Sequence, residues 1–517
     1  MKKNCLLFAL ALFLGGATAV FADDADLVIY HTNDVHGYAF HEVGADGAPT
    51  RWGYDYIKGA VNADATPAKM LLDAGDIIQG QAFAAAGDGA YVARLVALCG
   101  YDALAVGNHE FDYGWQRLVE LRDRERLNFI AANIKLADGR LLFPPYFVRD
   151  CGAFKVGVFG LTTPATVNGT TPRNVAQLTF GDGAAIVPIA TAAVKHLREV
   201  ENVSVVVALA HLGSEPYCEP SSLTLAREVP GIDLIIDGHS HSALAGGVKI
   251  NDTLVVSTGA YGVYLGKVAG RRTAAGWEWS AKLLPAASST TVAPDPQLTA
   301  ASAAVQAQLA TVMNEVVAPM PVDLDGSRDA TRRGSSALGR VVGAAALAAS
   351  GAEIALLNGG GLRASLKKGD LTRGELTTAM PYQNRITVVK ITGATLTAAL
   401  NYGLGLPGSG AFPQFYGMTV TAKKVERRLP DGTPVVGALT VEMVVVNGKP
   451  LDPQATYRVA INDFMAAGGD GYAMFENCAG LDGGQLDAAL LDYLRRASAP
   501  EIENTVATET LKIKQEE

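Results

Sequence analysis

IDLIIDGHSHSAL, residues Ile232–Leu244, places an apolar run directly before two histidines separated by one serine. The chain has only eight histidines in 517 residues, so this pairing asks for a reason. Ile232–Ile236 reads as a central strand of an α/β sheet. Such sheets gather ligands at the carboxyl ends of their strands. Gly238 and Ser240 keep the following loop compact, which lets His239 and His241 face one site. Taken alone, the pair is as compatible with a solvated loop as with metal binding.

Four other stretches repeat the arrangement. DLVIYHTNDVHG (26–37) ends in Asp34 and His36, and KMLLDAGDIIQG (69–80) carries Asp76. YDALAVGNHEFDYG (101–114) ends in Asn108, His109 and Asp112, and VSVVVALAHLG (203–213) in His211. Five of the eight histidines therefore follow a β-type apolar run, in glycine-flanked loops that let backbone approach closely. On an α/β sheet these loops converge on one edge. Two Asp, one Asn and four His, with no Cys, suit borderline divalent ions such as Zn²⁺, Mn²⁺ or Co²⁺. Seven ligands are too many for one ion and suit two, with a carboxylate such as Asp76 able to bridge them. His31 lies within a strand and reads as a satisfied core histidine, while His41 and His196 read as surface residues.

The start of the chain is basic at Lys2 and Lys3, apolar from Cys5 to Leu14, then small. This pattern predicts an export signal over residues 1–22, cleaved after Ala22, with Ala19 as the alternative. Its apolar core is too short for a membrane span, and no later segment supplies one. The expected product is soluble and secreted, in a bacterial periplasm. Loss of the two lysines takes the formal net charge from −9 to −11, which argues against non-specific binding to nucleic acid or an anionic membrane. Cys99, Cys151, Cys218 and Cys478 remain; an oxidising compartment permits disulfides, and none has zinc-finger spacing. Cys99 reads as a small buried apolar residue.

The chain divides by texture into a first domain at 23–290, a linker with a bridging helix at 291–321, and a second domain at 322–517. LLPAASSTTVAPDPQ (283–297) has linker composition, and Leu298–Ala318 helical composition. HEFDY lacks the second histidine of a zinc-protease helix; GVYLGK and NGGGLR fail as a phosphate loop and a dinucleotide fingerprint. In the second domain, Arg328 and Arg332 lie four apart and Arg363 follows a Gly-rich turn. Arginine suits bidentate phosphate or carboxylate binding, although these arginines alone read as a solvated basic cluster.

TNDVHG, DAGD, GNHEFD, AHLG and GHSH, in this order across residues 32–241, resemble the calcineurin-like metallophosphatases, and more narrowly the 5′-nucleotidases with the periplasmic UDP-sugar hydrolases. The resemblance implies an α/β (α+β) protein: a four-layer αββα metallophosphatase sandwich followed by a separate α/β nucleotide-binding domain. It implies that Asp34, His36, Asp76 and His241 hold one metal ion, and that Asp76, Asn108, His211 and His239 hold a second. His109 and Asp112 would be the catalytic dyad. Some relatives carry Gln or Asn where His241 stands. The second half resembles the same family's substrate domain. There Arg328, Arg332 and Arg363 would bind the phosphate, Asn358 would contact the base, and Tyr382 and Tyr472 would sandwich it. Ala337 stands where relatives carry Asn, which changes local hydrogen bonding.

The implied reaction is hydrolysis of nucleoside 5′-monophosphates, and of UDP-sugars or other nucleotides, by in-line attack of a metal-activated water. The partner is a small-molecule nucleotide, without nucleic acid or membrane anchor. Alternatives on the same scaffold are a 2′,3′-cyclic-nucleotide phosphodiesterase/3′-nucleotidase, a sulfur-ester hydrolase of thiosulfate oxidation, and a non-catalytic nucleotide-binding protein. The preferred nucleotide, the native metal, any disulfide pairing and the oligomeric state stay open at this point.

Overall fold

Two six-stranded sheets face each other in the first half of the chain. The first has the spatial order Gly276–Pro285, Tyr264–Thr273, Leu27–Thr32, Lys69–Asp73, Ala103–Ala105, Phe129–Ile130. Its last four strands run parallel. The second has the order Val248–Ile250, Thr253–Val256, Leu234–Asp237, Val205–His211, Lys155–Thr162, Tyr146–Asp150, with the middle four parallel. The structure, a computed structural model, describes residues 25–514 apart from 171–173, 216, 217, 219, 383, 429–433 and 477. The export signal expected at residues 1–22 lies outside the described residues.

The near-continuous apolar runs are explained by burial on both faces. Leu27, Ile29, Leu72, Val158, Val207, Leu209, Leu234 and Ile236 fill the space between the sheets. The outer face of the first sheet is covered by helices such as Gly53–Ala63, Ala90–Cys99 and Trp115–Glu125. That of the second is covered by Gly183–Glu199 and Ser222–Glu228. The result is the four-layer αββα sandwich. Cys99 is buried among apolar side chains, and the four cysteines among the described residues are free thiols.

The bridging helix runs from Pro296 to Met313, capped by Asp295, whose side chain accepts the Leu298 N–H. It stops short of the expected Ala318 because Val316–Met320 pairs as a strand with Gly369–Thr372; β-branched Val316 and Val317 suit that conformation. The separate second domain contains a five-stranded sheet, Pro413–Tyr416, Ile354–Asn358, Thr456–Asn462, Arg385–Thr392, Gly480–Gln485, and a four-stranded one. Helices Ala337–Ser350 and Leu486–Arg496 pack in one of its cores, and Gly393–Leu404 in another. Among the described residues no helix is long and apolar enough to cross a membrane.

His31 is buried as expected, but its Nδ1 has no hydrogen-bond partner among the described residues. Burial drives it down to about 3, so it is a neutral packing residue. His41 and His196 are partly exposed but engaged: His41 meets the Ser289 hydroxyl at 3.0 Å and stacks on Tyr56, and His196 meets the Tyr146 hydroxyl at 2.9 Å.

Candidate metal centre

The parallel strands end on one edge of the sandwich, so their loops converge there. Asp34 and His36 follow Leu27–Thr32, Asp76 follows Lys69–Asp73, and Asn108 follows Ala103–Ala105. From the second sheet, His211 ends its strand, and His239 and His241 follow Leu234–Asp237. Asp34, His36, Asp76, His239 and His241 all have positive φ, between 48° and 77°. Five non-glycine residues held in this region at one edge are locally strained and over-determined by their surroundings.

Two groups of ligand atoms result. His36 Nε2 and His241 Nε2 face each other at 3.1 Å, with Asp34 Oδ1 3.4 Å from His241 Nε2 and Asp76 Oδ2 3.7 Å from His36 Nε2. The same Asp76 Oδ2 lies 3.2 Å from His211 Nε2, in the second group. Asn108 Oδ1 is 3.2 Å from His211 Nε2 and 2.9 Å from His239 Nδ1. Asp76 thus stands between both groups. The backbone of Gly107 passes so close that a Cβ there would collide with Asp76 Oδ1.

These residues fit divalent ions on three observations. His211 Nδ1 donates to Ala74 O at 2.7 Å, and His36 Nδ1 to Gln79 O at 3.2 Å, so each ring turns its Nε2 into the cluster. Burial holds His36 and His241 well below their ordinary range and brings His239 to about 3, leaving neutral imidazoles. Burial opposes charge on His211 too, yet Asp76 and Asp34 raise it to about 10. Its proton answers carboxylate charge that a bound cation would answer instead. Asp34, His36 and His241 each offer a ligand atom within 4.8 Å of the others, as do Asp34, Asp76 and His211, and also His36, Asp76 and His109.

His109 and Asp112 sit beside this cluster. His109 Nδ1 donates to Asp112 Oδ2 at 2.7 Å, and Thr170 Oγ1 donates to Asp112 Oδ1 at 2.9 Å. Burial opposes charge on His109, but Asp112 and Asp76 outweigh it and raise its pKa. The His109 ring lies 5.1 Å from that of His36 and 5.9 Å from that of Tyr382, so it faces both the cluster and the second domain.

A cavity of about 430 Å³ opens between the domains, lined by Asp76, Asn108, His109, His239 and His241 on one side. Arg328, Arg332, Asn358, Arg363 and Tyr382 line the other. Arg328 and Arg332 share the short helix Arg328–Arg333, and Arg328 Nη2 donates to Ser240 O at 3.3 Å, in the loop of His239 and His241. Arg363 lies over the Tyr382 ring at 6.0 Å, and its buried Nη2 has no hydrogen-bond partner among the described residues. The Asn358 amide is tied to Asp470 Oδ2 and Asn462 Nδ2, each at 2.7 Å.

Tyr472 is a correction to the expected pair of stacking rings. It is 0% exposed, donates to Ala411 O at 2.6 Å and stacks on Phe475. Phe464, eight residues earlier and just past the strand Thr456–Asn462, lines the cavity instead, as does Tyr402. A Cβ at Gly469 would collide with the Phe464 ring, so the glycine leaves it room. Tyr472→Ala is therefore expected to destabilise the second domain by about 3–5 kcal/mol. Chemical unfolding of the domain checks this, beside an unchanged KM for substrate. Asp470, which also lines the cavity, lies in the same glycine block, Gly468–Gly471.

Residues 27–243 match the calcineurin-like phosphoesterase family, and residues 309–477 match the 5′-nucleotidase C-terminal domain. The trifunctional nucleotide phosphoesterase protein YfkN of Bacillus subtilis is 31% identical over 95% of this chain. The chain spans only 35% of that protein's length. It is 28% identical to a 5′-nucleotidase of Vibrio cholerae, covering 91% of this chain and 90% of the relative. With protein UshA of Escherichia coli it shares 26% identity over 97% of both. Among solved structures, a 5′-nucleotidase precursor from Thermus thermophilus superposes with a TM-score of 0.80 at 28% identity, covering 95% of this chain and 100% of that one.

Proposed function

Because the chain belongs to the 5′-nucleotidase family of calcineurin-like phosphoesterases, which are hydrolytic nucleotide-processing enzymes, we propose that it is an exported phosphohydrolase releasing phosphate from nucleoside 5′-monophosphates. Asp34, His36, Asp76 and His241 hold one divalent ion, and Asp76, Asn108, His211 and His239 the other. Bound ions of the Zn²⁺, Mn²⁺ or Co²⁺ type supply Lewis-acid activation of water and of the phosphoryl group. The metallophosphatase domain then spans residues 23–290, the linker 291–321 and the substrate domain 322–517.

The observation that carries it is Arg363. A buried guanidinium donor without a partner is costly, and this one, unpaired among the described residues, lines the same cavity as His109 and the ligand cluster. An anionic phosphate answers it, with Arg328 and Arg332 on the same wall. His109 keeps its proton through Asp112 and directs a charged donor at the oxygens where phosphoryl charge develops. Tyr382 and Phe464 offer flat faces to a base, which favours a nucleotide over the small sulfur esters that another member of this fold could take.

Tyr382→Ala and Phe464→Ala are each expected to raise KM for AMP and UMP about tenfold or more. Base stacking contributes about 1–3 kcal/mol and 1.4 kcal/mol is one decade. Hydrolysis of p-nitrophenyl phosphate should change little. Equal damage to all three substrates, with a large fall in melting temperature, would leave base stacking unsupported. UDP-glucose and 2′,3′-cyclic AMP, assayed beside AMP, define the substrate range.

A further inference from the structure

Glu110 lies next to His109 yet points away from the cavity into the protein, with 0% of its surface exposed. Its Oε2 accepts the N–H of Asp76 at 2.7 Å and of Gly107 at 2.6 Å. Its Oε1 accepts the N–H of Ile77 at 2.6 Å and of Ile78 at 3.3 Å. One carboxylate thus satisfies four buried backbone donors drawn from two loops. One loop carries Asp76, the other Asn108.

These donors have no evident alternative. Asp76 has φ 61° and Gly75 φ 95°, so the chain turns too sharply for strand or helix hydrogen bonds to meet the amides. An ionised carboxylate offers acceptor sites enough for all four, and no neutral side chain of this size does. The two loops are also pinned to each other in front of Glu110. His109 N donates to Asp76 Oδ1 at 2.8 Å, which leaves Oδ2 facing His36 and His211.

We propose that Glu110 is a positioning residue that sets the affinity of both ion positions, by clamping the Asp76 and Asn108 loops through their backbone amides. This rests on the reading that Asp76 and Asn108 bind ions. It assigns Glu110 no contact with substrate or ion. Orientation of ligands by groups behind them is worth about 10–100-fold in metal affinity. Here the clamp acts on backbone, so its loss moves two ligands at once.

The test uses full-length protein stripped with chelator and titrated with Mn²⁺, bound ion being counted by elemental analysis and affinity read by calorimetry. Glu110→Gln turns an amide NH₂ toward backbone donors; Glu110→Asp keeps the charge but falls short by one methylene. Both variants should bind Mn²⁺ about 10–100-fold more weakly, with Glu110→Asp the less affected. The rise in melting temperature on adding Mn²⁺ should shrink in step. A folded Glu110→Gln protein whose Mn²⁺ affinity lies within twofold of the parent would overturn the clamp alone. Failure of both variants to fold at any Mn²⁺ concentration would overturn it in favour of a purely structural carboxylate. A parent protein that binds no Mn²⁺ would overturn the metal reading first and the clamp with it.

Discussion

His109→Ala should retain both metal ions and slow turnover by about 10²–10⁴, the range for loss of a positioned proton donor or charged transition-state partner. The expectation rests on where the ring sits. Its Nδ1 is committed to Asp112 at 2.7 Å, so the other nitrogen is the one available to substrate. Asp112 is itself held by Thr170, which fixes the direction of the pair. The ring stands beside His36 at 5.1 Å, and one of its ligand atoms lies within 4.8 Å of those of His36 and Asp76, so metal content of the variant separates a ligand from a donor. Elemental analysis and kcat on AMP, measured on one preparation, decide the matter. Loss of an ion from the variant would recast His109 as a ligand, and an unchanged kcat would remove it from the mechanism.

Asp76→Asn should abolish hydrolysis and lower the metal complement, an effect larger than that of His109→Ala. Asp76 lies between the two ligand groups, within 3.7 Å of His36 Nε2 and 3.2 Å of His211 Nε2. Only a carboxylate offers anionic oxygens to two cations; an amide offers one neutral oxygen. The substitution also removes charge that offsets His211, whose raised pKa depends first on Asp76 among its neighbours. Normal turnover with an undiminished metal complement would end the bridging role.

How much of this was legible in the sequence depends on what kind of contact each residue makes. Asp34, His36, Asp76, Asn108, His211, His239 and His241 could be found because each follows a buried apolar run, and parallel strands bring their ends to one edge. The pattern of the runs and the position of the ligands are the same fact. Glu110 leaves no such signal because its partners are four backbone amides, and backbone donors leave no side-chain spacing to read. For a related reason the sequence does not separate Tyr472 from Phe464. In NDFMAAGGDGY (462–472) two aromatic residues flank a glycine turn. Gly468 and Gly471, at φ 82° and 80°, decide which ring faces the cavity. The turn sends Phe464 to the cavity and packs Tyr472 against Phe475. Composition treats the two rings alike; only the path of the turn separates them. The bridging helix was overextended at its end because Val316 and Val317 can follow a helix in sequence while pairing as a strand in space.

The most direct test of a metal-dependent nucleotide phosphohydrolase is phosphate release from AMP by purified protein before chelation, after chelation, and after refilling with Mn²⁺, Zn²⁺ or Co²⁺. The account predicts release that disappears with the ions and returns with at least one of them. Undiminished release from protein shown by elemental analysis to be free of metal, or no release from AMP by protein carrying a full complement, would contradict it.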